Sequence, residues 1–392
     1  MSDDEQLNNF ICDRSTITER IAAQERNNIY DASGTLTVSS LPPTLPYIVL
    51  QTAKLPGKKE DDFACDMYYV DKLRPERCFS AVGCSLKAQG TSSMGYPIKN
   101  FKVKFKKGID YNDGRHEAGY PILEDGLISK CLCLKADYAS SEQANNVMLV
   151  DYYDKLIRNY YLTPAQEENE KVRTGISGKP IVVFWENTET NEIKFQGQYN
   201  MNNDKSNENV FGFDSDKWPK TECWEFSNNT SDRTLFKKSE WEDIAIDKDG
   251  SEYPAWTADF EARFPDTKPA YTNYTQFKRF CDFVVSTDRR QATNETLETP
   301  VTYGSIEYTT DSPEYRLAKF KNEFDKYAVK DTFIFYYLFT ETFLMIDSRA
   351  KNMFLTTYDG EHWFPIPYDF DTAIGIDNEG KLVFDYDLED YD

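Results

Sequence analysis

The sequence predicts an α+β fold, with a β-rich N-terminal region followed by a helical C-terminal one. Three observations carry this. Phe101, Val103 and Phe105 alternate with Lys102 and Lys104, the period of two that a half-buried strand shows. From Val147 onward, and again beyond Phe277, apolar residues recur at helical spacing. Two apolar runs, Met353 to Thr357 and Trp363 to Ile366, flank an Asp359-Gly360 pair, the signature of a hairpin. At 392 residues the chain has the length of one large domain or two lobes.

In chain order, residues 1–40 read as an N-terminal arm, polar at first, with a short helix over Ser15–Arg26 and a strand candidate at Thr35–Val38. Residues 41–202 form the β-rich region. Its strands are expected at Tyr47–Thr52, Met67–Val70, Cys78–Leu86, Phe101–Phe105 and Ile128–Leu134. One long helix interrupts it. Ser140 with Gln143 fits a capping box, Val147, Val150, Tyr153, Ile157 and Tyr160 follow at helical spacing, and Pro164 ends it. A hairpin of Pro180–Trp185 and Ile193–Tyr199 comes next, around the polar turn Asn187–Thr190. Residues 203–270 have weak periodicity and read as an irregular insertion. Residues 271–392 carry three helices and the final hairpin. Phe277, Phe280, Cys281 and Val284 mark the first helix, and Leu317, Phe320, Phe324 and Tyr327 the second, with Pro313 in its first turn. The third, Lys330–Ile346, is expected to be largely buried.

Composition excludes several functions. With 45 basic against 67 acidic residues the net charge is −22, which repels nucleic acid and anionic membranes. Hydrophobic residues at 40% and aromatic residues at 15% supply a core. None of the eight cysteines forms a C-x-x-C pair, so zinc knuckles and thioredoxin-type centres are not expected; buried free thiols in a reducing compartment are. Two histidines, His116 and His362, leave no material for a multi-histidine metal site. The acidic start Met1-Ser2-Asp3-Asp4 is unlike a signal peptide, and the longest apolar run, Thr332–Ile346, is too short for a membrane span. A soluble chain without membrane insertion is the expectation.

The chemistry concentrates near the C-terminus. Asp347-Ser348-Arg349-Ala350-Lys351-Asn352 reads Asp-x4-Asn, the hairpin follows, and then Tyr368-Asp369-Phe370-Asp371. Protein kinases show this order: a catalytic-loop Asp, an Asn five positions on, a short hairpin and a metal-binding Asp. Phosphoryl transfer needs a carboxylate to orient the acceptor hydroxyl, and oxygen ligands to hold Mg²⁺ on the phosphates. A tight hairpin brings its two ends together, so that Asn352 and Asp369 or Asp371 converge on one ion. Upstream, Gln89-Gly90-Thr91-Ser92-Ser93-Met94-Gly95-Tyr96-Pro97 is a candidate phosphate loop leading into a lysine-bearing strand.

With these residues assembled, the chain resembles the spore coat protein H (CotH) kinase family of atypical protein kinases. The matching pieces are the Gln89–Pro97 loop, Lys99-Asn100-Phe101-Lys102-Val103-Lys104-Phe105, Leu134-Lys135-Ala136-Asp137-Tyr138 with Asn145-Asn146, Gln196-Gly197-Gln198-Tyr199, and Asp347-x4-Asn352 with Pro367-Tyr368-Asp369-Phe370-Asp371. The wording looks closest to bacteriophage tail or virion-associated variants. The resemblance implies a bilobal protein-kinase-like fold, with a β-rich N-terminal lobe and a helical C-terminal lobe cut short after Asp371. It also implies ATP, a divalent metal (Mg²⁺, or Mn²⁺ or Ca²⁺), and phosphate transfer to Ser or Thr of a protein. Asp347 would be the catalytic acid. Asp369 or Asp371 would be the metal aspartate, with Asn352 a second ligand. Gly90, Thr91, Ser92, Ser93 and Lys102 or Lys104 would contact nucleotide, with Glu142 as the lysine's partner. The expected partners are a protein substrate or virion proteins, and the expected location is the cytoplasm or a virion. The alternative is a virion or tail structural protein that keeps a pseudokinase module for assembly or host attachment.

Overall fold

A computed structural model describes residues 45–90, 92–140, 144–226, 244–246, 252–254, 260–265, 275–345, 348, 352–377 and 380–383. The expected arm helix, Thr35–Val38, Thr91, Glu142, Gln143 and Asp347 lie outside the described residues. The described residues up to 148, with 176–210 and 376–383, form one unit; 149–175 and 211–375 form another.

The expected bilobal kinase-like fold with a helical C-terminal lobe is corrected by what the first unit contains, a closed seven-stranded β-barrel, and by strand outweighing helix, 35% against 25%. The chain lays down β1 (Tyr47–Gln51), β2 (Asp62–Val70), β3 (Phe79–Gln89) and β4 (Asn100–Lys104). Short β5 (Ile109–Tyr111), β6 (His116–Glu117), β7 (Tyr120–Pro121) and β8 (Ile128–Ser129) follow. Then come β9 (Cys131–Lys135), β10 (Gly178–Glu186) and β11 (Ile193–Asn203). The order β2-β1-β10-β11-β9-β4-β3 closes because β2 also pairs with β3. β1 and β10 run parallel, and the other barrel neighbours are antiparallel. Closure pairs the two end strands of the barrel with each other, and β5 and β6 extend the sheet from β3.

The alternation read in Phe101–Phe105 explains the filling. Phe101 and Val103 face inward, where they lie level with Leu134 and Leu132. Ile181, Val183, Tyr199 and Met201 do the same on β10 and β11, and together these side chains pack the interior of a small barrel. The outward positions of β4, β9 and β11 are polar: Asn100 and Lys102, Cys133 and Lys135, Asn200 and Asn202. Most of them are nevertheless buried.

In sequence, α1 (Asn145–Ile157) leads from the first unit into the second, which continues with α2 (Pro164–Glu168). β12 (Glu222–Phe226) is followed by a separate pair, β13 (Ile244–Ile246) with β14 (Glu252–Pro254), and by β15 (Phe260–Phe264). α3 (Thr275–Thr287), the hairpin β16 (Thr296–Tyr303) and β17 (Ile306–Thr310), α4 (Pro313–Glu323) and α5 (Lys330–Thr342) precede β18 (Met353–Thr357) and β19 (Phe364–Pro367). β12, β15, β18 and β19 form one antiparallel sheet in the order β15-β12-β18-β19. Two of its strands come from 203–270, the region expected to be irregular. All five positions of β12 are buried, so it carries no polar alternation to betray it.

α5 is less buried than expected, since Ile334, Tyr337 and Leu338 are exposed along it. Cys65, Cys78, Cys84, Cys131, Cys133, Cys223 and Cys281 are buried. Among the described residues no helix is long and apolar enough to cross a membrane.

Candidate functional site

In the second unit, two loops are clamped at both ends. α5 ends at Phe343 and Leu344, whose carbonyls accept from Ile374 N at 2.6 Å and Gly375 N at 3.1 Å. At the other end the β18–β19 ladder reaches Met353 opposite Pro367. One further bond, from Tyr368 N to the Asn352 carbonyl at 3.1 Å, extends it to the loop residues. The chain interval 345–351, which contains Asp347, and the interval 369–373, which contains Asp369 and Asp371, therefore start and finish at bonded points.

Sequence explains the clamp locally. Asp359 accepts from the amides of Glu361 and His362 at 2.8 Å each, and Gly360 adopts φ +75, which seats the Asp-Gly turn. Leu344, Asn352, Ile374 and Gly375 all have left-handed φ, at +48, +57, +64 and +71. For a leucine and a β-branched isoleucine this is strained backbone, held by the surrounding structure. Phe370 is fully buried and its ring lies 6.0 Å from that of Phe339 on α5, so Asp369 and Asp371 flank an anchored side chain. Asp369 is nearly buried and Asp371 half-buried. Tyr336 OH donates to the Ser348 carbonyl at 2.5 Å. Among the described residues, the Ser348 and Thr372 hydroxyls are buried without a hydrogen-bond partner.

The donor types suit a hard cation: an amide oxygen at Asn352 and carboxylates at Asp369 and Asp371. Mg²⁺ takes one or two carboxylates with waters and phosphate oxygens rather than a full protein cage. No cluster of three or more His, Cys, Asp or Glu able to hold a metal occurs among the described residues.

In the first unit, Gly90 to Lys99 connects β3 to β4, whose ladder ends with Gln89 opposite Asn100. Gly90 has φ +116, and a Cβ there would overlap Ser93 Oγ. Ser92–Gly95 forms a single 3-10 turn, and Lys99 Nζ donates to the carbonyls of Met94 and Tyr96, tying the loop to itself. Lys102 lies two residues into β4, about 7 Å along the strand from Asn100. Lys104 is on the same outer face, and exposed.

Lys102 Nζ meets Asp204 Oδ1 at 2.8 Å. Asp204 is fully buried and also accepts from Ser206 N at 2.9 Å, Ser206 Oγ at 2.5 Å and Cys133 Sγ at 3.2 Å. Burial alone would raise its pKa, but the Lys102 charge and these hydrogen bonds outweigh burial and hold it at about 2. Burial opposes the Lys102 ammonium, and Asp204 more than restores it, leaving its pKa raised. Sequence reasoning missed Asp204, which closes the Asn200, Asn202, Asn203 run at the end of β11. No local signal marks it, since its partner lies 102 positions away and its burial is not visible in the sequence. Among the described residues, both amide atoms of Asn145, Asn202 Oδ1 and Asn203 Nδ2 are buried without partners.

The chain matches no protein-family model and no curated protein.

Proposed function

We propose that this protein binds ATP with a divalent cation and transfers the terminal phosphate to Ser or Thr of a protein. The double clamp supports this, because it bonds Phe343, Leu344 and Asn352, which flank Asp347 in sequence, to Tyr368, Ile374 and Gly375, which flank Asp369 and Asp371. In this reading Asn352, Asp369 and Asp371 supply the metal's protein oxygens, and Asp347 orients the acceptor hydroxyl and takes its proton. Bound Mg²⁺ would neutralise charge on the phosphate oxygens. The first unit adds support of its own. A lysine braced by a buried acid, as Lys102 is by Asp204, is the pairing with which kinases hold a phosphate-contacting lysine.

Thermal unfolding with ATP and Mg²⁺ or Mn²⁺ tests the proposal. At ligand a hundredfold above Kd the native state gains about 2.7 kcal/mol, and Asp371→Ala should lose most of that gain. Absence of any shift in the parent chain sinks the proposal. Radiolabel transfer from γ-labelled ATP to a Ser-rich acceptor then separates a kinase from a pseudokinase.

One observation favours a second reading, a virion or tail structural protein built on a pseudokinase module. Ile334, Tyr337 and Leu338 expose a contiguous apolar stripe on α5, the kind of surface that marks a protein contact.

A further inference from the structure

Lys179 lies opposite Met201 in the β10–β11 ladder and so shares the barrel's inward face, one residue pair beyond Ile181 and Tyr199. A lysine on the inner face of an apolar barrel is unusual, and its surroundings are more so. Nζ donates to Tyr69 OH at 2.7 Å and Tyr120 OH at 3.3 Å, and sits 4.8 Å and 5.4 Å from the centroids of those rings. Arg77 reaches the same tyrosine, with Nε donating to Tyr120 OH at 3.1 Å, and its remaining bonds go to the carbonyls of Pro121 and Ile122. Neither Lys179 nor Arg77 makes an ion pair among the described residues. The nearest acid, Asp71, is buried and engaged by Arg74 Nε at 3.1 Å and by the amides of Leu73 and Arg74. Glu124 also goes to Arg74. In a chain with 67 acidic residues, two cations sharing one neutral hydroxyl are not an accident of composition.

The electrostatics follow from this list. Tyr69 OH donates to Asp71 Oδ2 at 3.4 Å, and burial raises the pKa of both phenols, so neither becomes a counter-ion for the lysine. The ring faces favour an ammonium. Burial first, then the charges of Arg77 and Arg74, outweigh them and the attraction of Asp71, and bring the Lys179 pKa down to about 7. The amine is thus held in place by hydroxyls and is half neutral near physiological pH, with a guanidinium beside it that has no acid to satisfy it.

We propose that Lys179 is a nucleophilic amine that captures aldehydes carrying an anionic group, with Arg77 receiving the anion. The nitrogen lone pair forms a C–N bond to the carbonyl carbon while the C=O π pair moves to oxygen. The two amine protons leave with that oxygen as water, giving the imine. Atoms balance without an oxidant or reductant.

The test uses the full chain and two probes that differ in charge, para-formylbenzoate and benzaldehyde, with imines trapped by cyanoborohydride and located by peptide mapping. Lys179 should be labelled by para-formylbenzoate at least tenfold faster than exposed Lys104, with the rate rising through pH 7. Arg77→Gln should lower the para-formylbenzoate rate several-fold more than the benzaldehyde rate. Labelling of Lys179 no faster than Lys104 overturns the proposal. So does equal loss with both aldehydes in Arg77→Gln. The parent-chain comparison stands even if that variant fails to fold.

Discussion

Asp204 holds Lys102 at 2.8 Å across 102 positions of sequence. The two strands concerned, β11 and β4, do not pair with each other; both pair with β9, and the bond passes over Cys133, which adds its thiol to Asp204. The pair therefore links three strands on one barrel face.

Its pH dependence has a definite sign. The folded pKa of Asp204, about 2, lies below the ordinary 3.8, so the folded state binds this proton more weakly than the unfolded state. The stability it contributes is fully present above pH 3.8 and is lost as pH falls through about 2. The shift corresponds to on the order of 2 kcal/mol. Asp204→Asn should lose about that much at pH 7 in urea unfolding, with the deficit shrinking toward pH 2. Lys102→Met leaves the buried carboxylate uncompensated and should cost more, about 3 kcal/mol. Equal stability of both variants and parent at pH 7 would contradict the assignment.

Glu222 titrates the opposite way. Burial raises its pKa to about 7 from 4.5, against hydrogen bonds from Trp224 Nε1 at 3.0 Å and Gln276 Nε2 at 2.8 Å. The folded state holds this proton more tightly, so the contribution is greatest below pH 4.5, declines between 4.5 and about 7, and is flat above. When Glu222 is protonated, Gln276 can accept by turning over its amide, which also gives its otherwise unpartnered Oε1 a bond. Glu222→Gln should remove on the order of 3 kcal/mol of pH dependence from that window. Identical stability-against-pH curves for variant and parent would refute this.

The parts of the fold legible in sequence are those whose signals are local. The β10–β11 hairpin, the Phe101–Phe105 alternation, the helix opened by Pro313 behind the Ser312 cap, and the Asp359-Gly360 turn each depend on neighbours within a few residues. Barrel closure does not. It needs Tyr47 beside Val182 in parallel register and β2 paired on both sides, and no short window encodes either. Expecting a helical C-terminal lobe gave weight to helical periodicity and none to β12, which is buried along its whole length, or to the short β15. Of the proposed metal ligands, Asn352, Asp369 and Asp371 stand out in the sequence because their spacing brackets a hairpin, which the structure contains. Asp204 was not, since its partner lies far away in sequence, and Lys179 reads as an ordinary polar residue at the start of a strand.

Gly90 offers a test of the loop between β3 and β4. At φ +116 an L-residue is strained whatever the space around it, and a Cβ would also overlap Ser93 Oγ. Gly90→Ala should destabilise by about 1–3 kcal/mol. Because the serine hydroxyl can swing away, Ser93→Ala added to it should restore little. Full rescue by the second substitution would place the cost in the side-chain overlap and not in the backbone.

Ile374 separates the clamp's geometry from its strain. Its φ of +64 is unfavourable for a β-branched residue, and its side chain is 45% exposed, so little burial is lost on replacing it. Its amide, which bonds the Phe343 carbonyl, survives any substitution other than proline. Asparagine tolerates left-handed backbone far better than isoleucine and adds less disorder to the unfolded chain than glycine. Ile374→Asn should therefore stabilise the protein by about 1 kcal/mol in urea unfolding, with the clamp bonds intact and the ATP–Mg²⁺ thermal shift unchanged. Unchanged or lower stability would mean that the left-handed turn carries no strain to release. A gain in stability with loss of the nucleotide response would instead make the strained isoleucine part of what positions Asp371 three residues before it.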